Sequence, residues 1–123
     1  MRRIADTNIL VRYLTWDDEK AAVKAMEIIK EGVEVLPETI SEVLYVLTSK
    51  TLYAIPRNVV AGTIEKLLDE ISIDRKESIR QALRIYEETK LDYVDCLLIA
   101  WGAFGTEVIS FDRKLINELK RRR

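Results

Sequence analysis

Acidic side chains recur where the predicted helices and strands of this chain meet. Asp6 and Asp112 directly follow short apolar segments, Glu42 follows a third, and Asp92 and Asp95 are three residues apart on one helix face. Carboxylates that are brought together repel one another and raise each other's pKa values unless a cation lies among them. A cluster of carboxylates with no imidazole or thiolate partner suits a hard ion, Mg²⁺ or Mn²⁺.

The residue types that are missing narrow the chemistry further. The chain has no histidine, which excludes a histidine general base, a Ser-His-Asp triad and a histidine-ligated zinc. Catalysis would therefore depend on carboxylates, hydroxyls, amines or a metal held by oxygen. Cys96 is the single cysteine and lies in an apolar segment, so we expect a buried structural thiol, no internal disulfide and a cytoplasmic setting.

Size and composition indicate one ordinary domain over residues 1–123. The 123 residues are 48% hydrophobic and 33% charged, with a net charge of −1, so no strong overall field attracts nucleic acid. A local basic patch or a bound cation could still meet a phosphate backbone. No apolar run reaches the roughly 18 residues of a membrane helix, and no signal peptide follows the N-terminal arginines, so we expect no membrane association.

Short apolar segments alternate with helical patterns along the chain. Residues 2–5, 33–36, 71–73 and 108–111 are predicted strands. This alternation predicts an α/β fold, a three-layer α/β/α sandwich around a central, mostly parallel sheet of about four short strands. The carboxyl ends of parallel strands share one edge, which should bring Asp6, Glu42 and Asp112 together, whereas the position of Asp95 depends on the direction of its helix.

Helix capping offers a simpler interpretation of the same acids. Thr7 or Asn8 is expected to cap the first helix and Asp112 the last, while residues 39–42 and 92–95 have the form of capping boxes. Each cap stabilises its helix by about 1 kcal/mol. The helix that Asp92 opens is apolar on every side over residues 96–104, which predicts a position in the interior.

Four segments resemble a known family when they are taken together. Residues 4–10 (IADTNIL), 41–44 (SEVL), 92–100 (DYVDCLLIA) and 109–112 (ISFD) are similar, in order and spacing, to the signature segments of the PIN-domain nucleases. The similarity is closest to the small VapC-type toxins of toxin–antitoxin pairs and covers essentially the whole chain. Each segment alone is weak, whereas the four together are specific.

The resemblance implies a metal-dependent endoribonuclease. It assigns Asp6, Glu42, Asp95 and Asp112 as catalytic residues and ligands of one or two Mg²⁺ or Mn²⁺ ions. The residues that would orient these acids or their waters are Thr7, Asn8, Ser110 and Asp92, the last as a cap or outer contact. The resemblance also implies an RNA substrate, 5′-phosphate and 3′-hydroxyl products, a homodimer, and a small antitoxin protein that covers the acidic groove.

The basic residues that could bind RNA have two interpretations. Arg75, Lys76, Arg80 and Arg84 are spaced helically, and residues 120–123 form a basic tail. Such residues either contact RNA, preferentially single-stranded, or form solvated helix faces that alternate with glutamates.

Three other classes of protein stay open from the sequence. A receiver-type phosphoacceptor domain is also a small α/β sheet with acids at one edge, although Asp6 has no acidic neighbour. A phosphatase of the DxD type fits less well, because Asn8 stands where the second acid belongs. A catalytically silent, PIN-like RNA-binding module is the third alternative.

Overall fold

The computed structural model describes residues 1–122, so Arg123 of the predicted basic tail lies outside the described residues. The described residues form seven α-helices: α1 (Thr7–Thr15), α2 (Glu19–Glu31), α3 (Pro37–Thr48), α4 (Arg57–Leu67), α5 (Lys76–Glu88), α6 (Tyr93–Ala103) and α7 (Arg113–Arg121). A 3₁₀ turn covers Leu68–Glu70, and the two strands are β1 (Glu34–Val35) and β2 (Ser72–Ile73).

A small parallel sheet joins three of the predicted apolar segments. β1 pairs with β2 in the register Glu34 to Ser72 and Val35 to Ile73. Ile4 forms a single parallel bridge on the other side of Glu34. Its neighbour Ala5 donates its N–H to the Glu34 carbonyl at 2.9 Å. The structure thus confirms an α/β chain with a parallel sheet, in which helices predominate.

The structure shows no strand at residues 108–111, so the prediction of a fourth strand there is corrected. These residues have irregular backbone and no strand partner, and the side chains of Ile109 and Phe111 are 86% and 104% exposed. A strand is stable when a partner takes its backbone hydrogen bonds, and no partner strand is in place here, although Val108 and Ser110 are partly buried. The four-stranded, three-layer sandwich is therefore not confirmed.

The hydrophobic core is built mainly from the inner faces of the helices. Its largest fully buried side chains include Leu10, Ile40, Leu47, Ile64, Leu67, Leu68, Ile79, Leu83 and Ile99. In α6, Cys96, Ile99 and Ala100 are buried, whereas Val94 and Leu98 on the opposite face are 58% and 36% exposed. The prediction that this helix lies wholly in the interior is therefore wrong for one of its faces, although Cys96 is buried as expected.

Helix α7 packs against α6 at a position that only a small residue permits. A Cβ atom added at Gly102 would lie 2.8 Å from Leu119 Cδ2, so the missing side chain allows the close approach. Leu115 buries all but 2% of its surface in the core. This packing fixes the beginning of α7, and with it Asp112.

Among residues 1–122, no helix has the length and apolar character needed to cross a membrane.

Leu115→Ala and Ile109→Ala should separate packing of α7 from packing of residues 108–111. We expect Leu115→Ala to lower the free energy of unfolding by about 2–5 kcal/mol, because a buried leucine leaves a cavity. The change for Ile109→Ala should stay below about 0.5 kcal/mol, since its side chain is in water. Urea unfolding followed by circular dichroism measures both, and a loss above 1 kcal/mol for Ile109→Ala would show that its segment is packed after all.

Candidate functional site

The first part of the candidate site joins the beginning of α1 to α3. Asp6 is the N-cap of α1, and its Oδ1 accepts the Ile9 N–H at 3.2 Å. Thr7 Oγ1 donates to Glu42 Oε2 at 2.5 Å, which holds the glutamate against the start of α1. The cap is thus Asp6 and not Thr7 or Asn8, and Asn8 lies exposed on the first turn. Two sequence-predicted acids, Asp6 and Glu42, therefore belong to one neighbourhood.

Glu42 is not the capping-box acid that the sequence indicated. Helix α3 begins two residues before Thr39, at Pro37, with Leu36 as an N-cap that makes no side-chain hydrogen bond. Proline is favoured at the first helical position because its missing N–H would have no partner there and its φ already suits the helix. Glu42 therefore lies in the second turn, where its carboxylate is not used for capping.

The second part of the site lies where α6 and α7 begin. Asp92 is the N-cap of α6, and its Oδ1 accepts the Asp95 N–H at 3.1 Å. Asp112 is the N-cap of α7, and its Oδ1 accepts the N–H groups of Lys114 and Leu115 at 2.9 and 3.2 Å. Ser110 Oγ in turn accepts the Asp112 N–H at 2.9 Å. The predicted caps Asp92 and Asp112 are confirmed, and Ser110 supports the second.

Asp95 is the acid of this second part whose ionised form is disfavoured. Its carboxyl group is partly buried, and its pKa is raised first by that burial and then by the negative charges of Asp92 and Asp112. Those two acids are therefore within electrostatic reach of Asp95. An unneutralised carboxylate facing two others is a place where a cation lowers the free energy.

The two parts do not form one closed metal site in this structure. Within residues 1–122, no group of three or more acidic or cysteine side chains is arranged so that it could hold a metal ion. The donor chemistry nevertheless fits Mg²⁺ or Mn²⁺, since every candidate ligand is a carboxylate oxygen. Capping does not remove a carboxylate from this set, because its two oxygens together offer about four acceptor positions.

The predicted basic surface is largely occupied by contacts within the protein. Arg75 stacks over Trp101 with its Cζ 3.8 Å from the ring centroid, so this tryptophan is partly exposed and not a core residue. Arg80 pairs with Asp69 at 2.9 Å, and Arg84 pairs with Glu65 at 3.3 Å. The structure therefore favours ordinary surface residues, paired within the protein, as the interpretation of these arginines, and it does not favour a role in binding RNA.

Arg57 and Tyr93, which the sequence analysis did not single out, lie beside the second part of the site. The Arg57 guanidinium lies 3.6 Å from the centroid of the Tyr86 ring, and its Nη2 donates to the carbonyl oxygens of Tyr86 and Leu91 at 3.1 and 2.5 Å. Tyr93 is buried, and burial raises the pKa of its hydroxyl. The available signal was the position of Arg57 directly after the helix-breaking Pro56.

The fold is thus a small, mainly helical α/β chain with acids at the starts of α1, α6 and α7. The family model described as PIN domain matches residues 3–120, and the chain belongs to this family. Proteins of the family are generally metal-dependent nucleases that act on nucleic acid. Comparisons with curated proteins and with solved structures gave no match.

Asp95→Asn is expected to stabilise the protein in the absence of divalent metal. Because the folded-state pKa of Asp95 is raised, its ionised form costs stability at a pH above both the folded and unfolded pKa values. We expect a higher melting temperature for the variant at pH 7, and the difference should shrink as the pH falls through the folded-state pKa and vanish well below the unfolded pKa of about 4, where the carboxyl group is protonated in both states.

The same pair of proteins tests for a cation. Adding Mn²⁺ at pH 7 should raise the melting temperature of the wild type more than that of Asp95→Asn, because an ion held by this carboxylate would stabilise the folded state. Thermal scans with EDTA and with Mn²⁺ measure both effects. Equal shifts by Mn²⁺ in the two proteins would mean that Asp95 is not a ligand.

Proposed function

We propose that this protein is a metal-dependent endoribonuclease whose site is formed by Asp6, Glu42, Asp95 and Asp112. The observation that carries the proposal is the match to the PIN-domain family over residues 3–120, together with the acids Asp92, Asp95 and Asp112 at the starts of α6 and α7. Thr7 supports it by holding Glu42 beside the N-cap Asp6. Each of the four acids would contribute carboxylate oxygen to Mg²⁺ or Mn²⁺.

The protein's own part in the reaction would be placement of charge and removal of a proton. When bound, a divalent cation activates water and offsets the charge that develops on the phosphate. The four carboxylates would hold that cation, and one of them would accept a proton from the attacking water. Thr7 would fix the direction of the Glu42 carboxylate, and Ser110 the N-cap turn that carries Asp112. The expected products are a 5′-phosphate and a 3′-hydroxyl.

The biological setting that we propose is a toxin–antitoxin pair. In this proposal the chain is a single domain acting in the cytoplasm as a VapC-type toxin and forming a homodimer. A small antitoxin protein would cover the acidic groove, and RNA, preferentially single-stranded, would be the substrate. The sequence resemblance to these toxins supports this part of the proposal, and identifying a small antitoxin gene beside this one would test it.

Asp6→Asn and Asp18→Asn form a matched pair for the catalytic proposal. Both aspartates are helix N-caps, since Asp18 Oδ1 accepts the Ala21 N–H of α2 at 3.1 Å, and asparagine caps a helix as well as aspartate does. We expect Asp6→Asn to cut Mn²⁺-dependent cleavage of a labelled single-stranded RNA by about 100-fold or more, because a ligand matters at least as much as its supporting contacts. Asp18→Asn should cleave like the wild type.

The controls decide between the proposal and its competitors. EDTA should abolish cleavage, and Mn²⁺ should restore it. Full activity in Asp6→Asn would reduce Asp6 to a helix cap and remove it from the site. RNA binding with no cleavage under any metal would identify a silent binding module, and intact mass after incubation with a small phosphodonor would reveal a receiver-type acceptor.

Thr7→Val and Thr7→Ser should separate positioning of Glu42 from simple packing. Valine keeps the shape but removes the hydroxyl that donates to Glu42, so we expect a 10- to 100-fold loss of kcat/KM and a higher Mn²⁺ concentration for half-maximal activity. Serine keeps the donor and should retain most of the activity. The free energy of unfolding should change by less than about 1.5 kcal/mol in both, and unchanged metal dependence in Thr7→Val would contradict the positioning role.

A further inference from the structure

A cleft of about 340 Å³ opens between α3 and the beginning of α6, directly beside the candidate site. Its lining includes Ser41, Tyr45, Thr48, Arg57, Asp92 and Tyr93. Ser41 precedes Glu42 in α3, and Asp92 caps the turn that carries Asp95. A group bound in this cleft would therefore lie next to whatever occupies the acidic site.

The walls of the cleft are rich in aromatic rings. The Tyr45 side chain is 70% exposed on one wall, whereas Tyr86 and Tyr93 are each 6% exposed and meet edge to face with their ring centroids 6.4 Å apart. Exposed aromatic faces in nucleic-acid-binding proteins stack on flat bases, at a gain that depends little on base identity. Of these three rings only Tyr45 presents an accessible face, on which a flat, largely apolar ring could stack.

The charges around the cleft favour a neutral occupant over a phosphate. Arg57 directs Nη2 to the carbonyl oxygens of Tyr86 and Leu91 and lays its guanidinium on the Tyr86 ring. Its positive charge is thus engaged by the protein, while Asp92 places a carboxylate at the rim. A carboxylate repels a phosphate but accepts hydrogen bonds from the amino and imino groups on the edge of a base.

Two buried polar atoms at the cleft point to a missing partner. Tyr93 Oη and Arg57 Nε are both buried and have no hydrogen-bond partner within residues 1–122. Buried polar atoms in folded proteins are almost always paired, so an unpaired hydroxyl and an unpaired N–H at one cleft call for a polar ligand edge or an ordered water. The polar edge of a nucleobase carries both donors and acceptors.

We propose that this cleft binds an unstacked nucleobase of single-stranded RNA, next to the phosphate that the acids act on. The inference rests on the proposed nuclease function, whose substrate it defines further. A base enters such a cleft only when it is free of a duplex, so the cleft selects single-stranded or looped RNA. Tyr45 supplies the stacking surface, and the Asp92 carboxylate at the rim accepts hydrogen bonds from the edge of the base.

NMR titration of the metal-free protein tests the cleft without any cleavage assay. Amide signals would be followed during addition of AMP, GMP, CMP or UMP, and of ribose 5-phosphate as the ligand that lacks a base. We expect the nucleotides to shift the amides of Ser41, Thr48 and Val94 and ribose 5-phosphate to leave them unchanged. Equal shifts by ribose 5-phosphate would overturn the inference, because recognition would then be of phosphate or sugar.

Tyr45→Ala and Tyr45→Phe supply the matched variants. Since the side chain is largely exposed, both should fold, and Tyr45→Ala should weaken nucleotide binding about tenfold through the lost stacking contact while Tyr45→Phe keeps it. Unchanged binding by Tyr45→Ala would overturn the inference. If the protein cleaves RNA but binds no nucleotide in these titrations, only the inference of base binding is wrong. If it binds nucleotides but cleaves no RNA, the proposed nuclease function is wrong and base binding in the cleft stands.

Discussion

Repulsion between carboxylates is the constraint around which the acidic end of this protein is built. Asp6, Asp92 and Asp112 each begin a helix, where backbone N–H groups and the helix dipole favour negative charge. Asp95 also lies in the first turn of α6, but burial, followed by the charges of Asp92 and Asp112, raises its pKa. Helix starts can therefore hold most of this charge in place without a metal, but they leave a residual repulsion at one carboxylate.

Capping and metal binding are compatible roles for one aspartate. A cap uses part of the acceptor capacity of a carboxylate and also fixes the direction of the side chain, because the backbone N–H groups cannot move away from it. Ligands that are oriented before the metal arrives lose less conformational entropy on binding. Glu42 has no backbone to orient it in the second turn of α3, and the hydroxyl of Thr7 takes over that task.

Local sequence patterns predicted the features that depend on neighbouring residues. Asp92 and Asp112 were recognised as caps because capping needs only a short polar side chain before a helical pattern. Val33 to Leu36 and residues 71–73 were recognised as strand segments, and β1 and β2 lie within them. The start of α3 was misplaced because Thr39 to Glu42 imitates a capping box, whereas Pro37 determines the actual beginning.

Local sequence patterns did not predict the features that depend on residues far away in the chain. Residues 108–111 alternate like a strand, but alternation does not say whether a neighbouring edge is in place to receive them. Trp101 belongs to the apolar segment 96–104 that was predicted in the interior, yet Arg75 from the start of α5 covers its ring. The meeting of Asp95 with Asp112 follows from α7 packing beside Gly102, which no local pattern encodes.

The contacts of Arg57 matter when related sequences are compared with this one. Its guanidinium fastens the beginning of α4 to the last turn of α5 and to the carbonyl of Leu91, the residue just before the Asp92 cap. A relative that kept all four acids but carried a neutral side chain at this position would lose the clasp on the α5–α6 connection. A comparison based on the four acids alone would count such a chain as complete. Related chains should therefore also be compared at the position of Arg57, whose guanidinium holds the turn before Asp92.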